Sequence, residues 1–305
     1  MRLWLGFMNG PLCAGMALAL LAGGAHAQDL EPRAYSAIPV GGNFVAAGFS
    51  HTGGSVSLDP SVPIKGVQAN IDVASLSYVR SFNLLGRAAT IAFVIPEMHG
   101  VVTGQVIGAD TSVSRTGLGD VRARFAVNLL GDPALTPAEF AKRQPTTTLG
   151  TSLTLIAPTG QYDSKYLINL GSNRWAVKPE IGLAQPFGRW FADASIGVWI
   201  FGDNSNYFGG HTRDQQPIST FQVHGGYNFR PRLWIAADAT YYRGGQTELD
   251  HVAAKDSQST TRYGLTLSVP IADGLSAKVA ASSWLSSRIG GKFQTIGITL
   301  QYAWF

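Results

Sequence analysis

The chain has 305 residues, of which 14% are charged and 10% aromatic, with 36 glycines and a formal net charge of +4. Soluble domains carry about 25% charged residues, and disordered chains are richer in charge and poorer in aromatic residues. No apolar run of about 18 residues or more, the length that a transmembrane helix needs, occurs after the first 30 residues. A bundle of transmembrane helices is therefore excluded, and a transmembrane β-barrel is favoured over a soluble all-β domain.

Residues 1–27 are predicted to be a cleaved secretory signal peptide. Arg2 supplies the basic start, an apolar stretch follows, and an A-x-A cleavage site occupies 25–27. A transmembrane anchor is the alternative, but the apolar stretch is short. Cys13, the only cysteine, lies inside this segment, so a mature chain of 28–305 has no thiol for disulfides, catalysis or metal binding.

The mature chain is predicted to be all-β, a transmembrane antiparallel up-and-down β-barrel of about 12 strands. Side chains of a strand point alternately to opposite faces, and in the last segment Ile296, Ile298 and Leu300 alternate with small or polar residues. A soluble sandwich would also alternate, but its polar face would carry Lys, Glu and Arg freely. The predicted strands lie near 43–52, 67–82, 87–103, 118–130, 146–158, 175–186, 189–203, 217–229, 232–247, 259–271, 275–287 and 292–305.

Connections of two lengths alternate along the chain, as in outer-membrane barrels, whose short turns face the periplasm. One connection on the short-turn side, 131–145, is longer, and its capping box from Thr136 to Glu139 predicts a short helix with Pro137 at the first position. The tight turns are predicted at 83–86, 187–188, 230–231 and 272–274, and the long polar loops near 53–66, 104–117, 159–174, 204–216 and 248–258.

Several motifs resemble those of a known family, the MetA-pathway of phenol degradation family of outer-membrane transporters. They are GLGD at 117–120, APTGQY at 157–162, NLGSNRW at 169–175 and PEIG at 179–182, together with the insertion at 131–145. The resemblance implies a channel in the outer membrane for the uptake of small, often aromatic, compounds. It assigns no substrate-binding residue.

Ten charged or titratable side chains are expected to face the lumen. An Arg or Lys facing lipid near the middle of the membrane would cost about 2–4 kcal/mol, whereas inside the barrel such groups either fill the interior as a ladder of salt bridges or select permeants. The two roles are compatible. The lumen candidates are Asp120, Arg122, Arg124, Lys178, Glu180, Asp193, His224, Asp238, Arg262 and Lys278.

Four aromatic residues allow two interpretations. They line a path for hydrophobic ligands, or they belong to the aromatic girdle at the membrane interface. Because most lie near strand ends, the girdle is favoured. These residues are Trp199, Phe201, Trp234 and Trp284.

No enzyme, cofactor or metal site is expected. The chain has no G-x-S-x-G, H-E-x-x-H or P-loop motif. His224, the only mid-strand histidine, points inward, and the polar loop residues His211, Asp214 and Asp203 are expected to be solvated rather than to hold a metal.

The expected function is that of an outer-membrane channel or facilitator for small solutes in a Gram-negative bacterium. A closed structural or adhesion barrel is the alternative, and an outer-membrane hydrolase is a weaker one. The expected partners are outer-membrane lipids, a small permeant and the assembly machinery, which would read the terminal aromatic residue Phe305. Nucleic acid is not expected, since the positive charge forms no cluster.

Overall fold

The computed structural model describes residues 31–57, 64–106, 109–286 and 290–305. The predicted signal peptide lies outside the described residues. The strands in chain order are β1 (Asn43–Ser57), β2 (Ile64–Leu84), β3 (Arg87–Val106), β4 (Ala109–Leu118), β5 (Val121–Leu130), β6 (Thr148–Ala157), β7 (Ala176–Phe187), β8 (Trp190–Phe201), β9 (Asn204–Tyr207), β10 (His211–Gln215), β11 (Ile218–Arg230), β12 (Leu233–Gly244), β13 (Thr247–Leu249), β14 (Val252–Ala253), β15 (Gln258–Pro270), β16 (Leu275–Ser286) and β17 (Gly290–Trp304).

Thirteen of these strands form one closed antiparallel barrel. The first strand pairs with both the second and the last, with Asn43 opposite Arg80 on one side and Trp304 on the other. Strands β4 and β5 share one position, because β4 pairs with the second half of β3 and β5 with its first half. The barrel therefore has twelve strand positions, as predicted.

The two faces of the wall are the reverse of those in a soluble protein. Large apolar side chains point outward, among them Ile196, Leu265 and Ile296 at 57–59% exposed. The adjacent inward positions are polar and buried, for example Thr266 and Asp193 at 4% and 7% exposed. An apolar outer face with a polar interior is the pattern of a membrane barrel, and it excludes the soluble sandwich.

Tight turns join the strands at one end of the barrel, and residues with positive φ make them possible. Leu85 and Gly86 have φ of 51° and 83°, and Gly188 and Gly274 have 63° and 72°. Two-residue hairpin turns require such values. The predicted turns are confirmed, and by the usual arrangement of such barrels this end faces the periplasm.

The helix α1 (Pro137–Lys142) lies on the same periplasmic side. The side chain of Thr136 accepts the backbone N–H of Glu139, and the Glu139 carboxylate accepts the backbone N–H of Thr136. These bonds with Thr136 lower the pKa of Glu139. The predicted helix and its capping box are confirmed. Within the described ranges, the structure has no helix long and apolar enough to cross a membrane.

Three of the long connections contain strands instead of the loops that the sequence predicts. Strand β4 forms a hairpin with the second half of β3, and Gly117 near its end has a φ of 153°. Strands β9, β10, β13 and β14 form a separate four-stranded sheet at the end opposite the tight turns. Two neighbouring hairpins build it, since β10 pairs with β13. We call this sheet, together with residues 158–175, the extracellular cap.

Candidate functional site: the barrel lumen

The centre of the lumen contains a buried carboxylate with several donors around it. Lys178 Nζ lies 3.0 Å from Glu180 Oε2, and Gln222 Nε2 donates to the same oxygen at 3.1 Å. Both members of the ion pair are only 6–7% exposed. They are in β7, on the buried face that alternates with the lipid-facing residues of this strand.

A second buried cluster surrounds His224 in β11. Its Nδ1 lies 2.7 Å from Asp238 Oδ1, and Thr266 donates to the other oxygen of Asp238 at 2.8 Å. Asp193 is opposite His224 in the neighbouring strand β8. The histidine thus bonds the carboxylate of Asp238 on one neighbouring strand and lies opposite the carboxylate of Asp193 on the other.

The other candidates spread over the length of the barrel. Arg262 is 2% exposed and donates through Nε and Nη2 to Ser282 Oγ at 3.1 and 2.9 Å. Arg122 and Lys278 are half-buried, as is Arg124. The structure therefore does not bring the ten predicted residues into one cluster, but distributes them along the wall.

Asp120 lies between β4 and β5 rather than within a lumen strand. Its two carboxylate oxygens accept bonds from Gly160 N at 2.9 Å and from Ser172 N and Oγ at 2.8 and 2.6 Å. The residue belongs to the GLGD motif, and its partners belong to two other motifs of the family resemblance. Its role in this structure is to hold the long connection 158–175 against the barrel.

The segment that precedes β1, residues 31–42, lies inside the barrel, and we call it the N-terminal segment. Tyr35 is 3% exposed, and its hydroxyl is 2.8 Å from both Ser152 Oγ and Glu180 Oε1. Gly150 and Gly182, paired across β6 and β7, make room for the ring, since a Cβ atom there would approach it to 2.6 and 2.2 Å. The segment thus partly fills the lumen.

Arg33 attaches the same segment nearer the periplasmic end. Its backbone N–H donates to Asp193 Oδ2 at 2.7 Å and its Nη1 to Asn228 Oδ1 at 2.9 Å. The guanidinium lies 4.9 Å from the ring centre of Phe191 and 5.8 Å from that of Trp234, which is the geometry of cation–π attraction. The charged head is therefore bound on several sides.

A cavity of about 70 Å³ remains between this segment and the wall. Strands β3 and β5 form the opposite side of it. The cavity has a mixed polar and apolar lining. The lining residues are Arg33, Ala34, Ser36, Ile38, Ala88, Thr90, Ala126 and Asn128.

The four aromatic residues assigned to the interfacial girdle lie on the lumen face, so that prediction is wrong. Trp199 and Trp234 are 4% and 6% exposed, and Trp199 has the same strand parity as Asp193, which faces inward. Near the cap, Trp199 stacks on Phe201 with ring centres 6.4 Å apart. Trp284 faces inward through its pairing with Arg262. The alternation of side chains along the strand, rather than the distance from the strand end, decides whether a residue faces the lumen or the lipid.

Cations accompany the aromatic rings of this upper lumen. Lys178 Nζ lies 5.3 Å from the ring centre of Trp199, and the Arg174 guanidinium 4.5 Å from that of Phe201. Tyr242 and Trp284 stack on one another at 5.5 Å with nearly parallel planes. A surface of stacked rings and cations can bind flat apolar groups and anions together.

The model of the family described as MetA-pathway of phenol degradation matches residues 46–295. The chain belongs to this family. The resemblance found in the sequence is thereby confirmed.

Two solved structures show the same kind of fold as this family member. The COG4313 outer membrane channel from Pseudomonas putida F1 superposes with a TM-score of 0.77 at 20% identity, covering 90% of this chain and 100% of that one. The transport unit of the autotransporter AIDA-I from Escherichia coli gives 0.53 at 9% identity, covering 96% and 98%. No curated protein sequence matches the chain.

The loop residues considered for a metal do not form a three-ligand group. His211 Nδ1 bonds Asp250 Oδ2 at 2.5 Å, while Asp214 hydrogen-bonds Asp203, which raises the pKa of Asp214. In the part of the chain that the structure describes, no group of three His, Cys, Asp or Glu side chains could hold a metal ion.

Sequence reasoning missed Arg33 and Tyr35, two of the residues that attach the N-terminal segment to the barrel. Their segment has no periodicity, because it forms no strand, and its partners are more than 100 residues away in the sequence. The glycines at 150 and 182 were a usable signal. Each interrupts the larger side chains of an inward face, and two such gaps side by side leave space for a ring.

Proposed function

We propose that this protein is an outer-membrane channel for the passive uptake of small solutes, including aromatic compounds. The observation that carries the proposal is the inner face of the closed barrel, which combines buried charges with stacked aromatic rings. Eight strands enclose only side chains, and sixteen to eighteen leave a wide pore, so twelve strands with an inserted segment suit a narrow passage. The family's association with phenol degradation and the likeness to an outer membrane channel support it.

Swelling of proteoliposomes tests passage directly. Vesicles containing the full chain should swell in isotonic solutions of small sugars or of aromatic acid salts, while vesicles without protein should not. No swelling with any of these solutes would contradict channel function. It would support the alternative below.

A closed structural barrel is the second candidate, and the inserted N-terminal segment is the observation that favours it. Tyr35 and Arg33 hold this segment to Glu180 and Asp193, and the ion pair of Lys178 and Glu180 occupies the same region. In this alternative the segment never leaves, and the protein acts through its extracellular cap.

We further propose that the lumen charges set ion selectivity. Lys178 and Glu180 are inward neighbours of opposite sign, and neutralising either one changes the lumen by one charge. Lys178→Gln should shift the reversal potential toward cation selectivity, and Glu180→Gln should shift it toward anion selectivity. Shifts in the same direction, or none, would show that the pair only fills the interior.

A catalytic role is not part of the proposal. His224 is bound to Asp238 and buried at 7% exposed, so we assign it to the charge network of the wall. His224→Ala should leave any hydrolytic activity of a purified preparation unchanged. A loss of lipase or protease activity in that variant would instead favour a hydrolase.

Phe305 is proposed to serve as the signal for barrel assembly. It is 61% exposed, and its ring packs edge-on against Phe44 at 6.3 Å. Phe305→Ala should lower the amount of folded protein in outer-membrane fractions. Phe44→Ala, which removes the packing partner but keeps the terminal ring, should lower it less.

A further inference from the structure

Two arginines of the extracellular cap are buried without a carboxylate partner. Arg174 and Arg213 are 7% and 9% exposed. Arg174 Nη2 donates to the Gln215 side chain, but its Nη1 is buried with no hydrogen bond, and so is Nε of Arg213. Among the described residues neither arginine forms a salt bridge. Leaving a buried charged donor unpaired is costly, and so these groups call for a ligand.

The two arginines meet the same strand of the cap, because Arg174 donates to Gln215 of β10 and Arg213 is two residues before Gln215 on that strand. Burial is the larger cause that lowers the pKa of Arg174, to about 9, and the positive charge of Arg213 is the next. Like charges held together away from water are stabilised when an anion lies between or beside them.

The nearby carboxylates are engaged elsewhere. Asp120 is bound by Gly160 and Ser172, Asp256 by the backbone and hydroxyl of Thr247 at 2.8 and 2.6 Å. Asp203 and Asp214 hydrogen-bond one another. These acids moderate the positive potential around the arginines, but none supplies the missing hydrogen-bond partner.

Aromatic rings lie beside both cations. The Arg174 guanidinium is 4.5 Å from the ring centre of Phe201, which continues into the stack with Trp199, and that of Arg213 is 5.6 Å from the ring centre of Tyr207. A ligand with a flat ring and a carboxylate would satisfy both features, because the ring adds to the stack while the carboxylate accepts from the guanidinium groups.

We propose that Arg174 and Arg213 form an anion-binding site at the entrance of the lumen, which takes the carboxylate of a small aromatic acid. The inference deepens the proposed function, on which it rests, by naming the charge of the permeant. Arg174 lies near the end of the cap connection 158–175, two residues before β7 begins, so a ligand bound there is at the boundary between cap and lumen. The free donors then replace part of the water that the carboxylate loses on entry.

Binding to the purified full chain in detergent is the test, with benzoate, phenol and acetate as probes in calorimetric titrations. Benzoate should bind about tenfold more tightly than phenol, which lacks the charge, and than acetate, which lacks the ring. Equal binding of benzoate and acetate would overturn the aromatic part of the proposal. Equal binding of benzoate and phenol would overturn the anionic part.

Variants locate the site. Arg174→Gln and Arg213→Gln should each weaken benzoate binding about tenfold. Arg243 is an exposed arginine at the end of β12 nearest the cap, and Arg243→Gln should change benzoate binding less than about twofold. Unchanged binding in both cap variants would overturn the proposal. If a variant fails the heat-modifiability assay for a folded barrel, the comparison of probes on the unchanged protein still decides.

The two proposals fail in distinguishable ways. If the protein lets solutes through in the swelling assay but shows no preference for benzoate, the anion site is wrong and the channel stands. If it binds benzoate through the arginines but lets nothing through, the site stands and the channel is wrong.

Discussion

Tyr35 connects the N-terminal segment to the wall through a single hydroxyl, which lies 2.8 Å from both Ser152 and Glu180. Tyr35→Phe keeps the ring between the two glycines but removes both bonds. A buried hydrogen bond of this kind contributes about 1 kcal/mol, so the segment should leave its position more often. Recordings from planar bilayers should then show more frequent or larger open events than those of the unchanged protein.

Tyr78→Phe is the matched control for this substitution. The Tyr78 hydroxyl donates to Asn43 at 2.8 Å on the outer side of the barrel, where the residue is 40% exposed. The change removes one hydrogen bond of similar length without touching the lumen. Equal effects of the two substitutions on the current would contradict the role assigned to Tyr35.

The elements show which parts of the fold local sequence can determine. The strands near 189–203 and 259–271 were predicted within a few residues, because alternation is a property of neighbouring side chains. The extracellular sheet was not, since β10 and β13 are short and pair across more than 30 residues. The N-terminal segment was missed for the same reason: its position depends on bonds to distant strands.

The helix α1 allows the effect of a local capping interaction to be measured separately from the barrel. Thr136→Ala removes the side chain that accepts the Glu139 N–H and donates to its carboxylate. Loss of an N-cap costs about 0.5–2 kcal/mol of helix stability, so hydrogen exchange of the amides at 139 and 140 should accelerate. Exchange in the barrel strands should not change, because no residue of this helix is buried.

The stability of the capping box at the start of α1 should depend on pH. The pKa of Glu139 is lowered in the folded protein by its bonds to Thr136. The stability that the Thr136–Glu139 capping box gives to α1 is therefore fully present above the ordinary pKa of glutamate. It is lost as the pH falls through the lowered pKa of Glu139. Amide exchange measured across this range should show faster opening of the helix start on the acidic side, and no such change in Thr136→Ala.

At the scale of the whole molecule, the outer face of the barrel is apolar because it contacts lipid instead of water. Leu265 is 58% exposed in the middle of β15, and Ile271 is 55% exposed just beyond its end. Arginine on the lipid face costs about 2–4 kcal/mol at mid-membrane and about 0–1 kcal/mol near the interface. Leu265→Arg should therefore lower the free energy of unfolding from lipid vesicles in urea by much more than Ile271→Arg.

Equal effects of the two arginine substitutions would mean that the outer face has no apolar band. The barrel would then not be embedded in a membrane, even if its strands pair as described. Because the two residues are of similar size and exposure, differences in packing contribute little to the comparison.

If a lipid-embedded barrel of twelve strands carries solutes through its lumen, the purified full chain should conduct ions in single-channel recordings from planar bilayers. We expect discrete current steps, which are small because the N-terminal segment narrows the lumen, and which are larger in Tyr35→Phe. Folded protein that inserts into the bilayer and yet carries no current, with or without that substitution, would contradict this expectation.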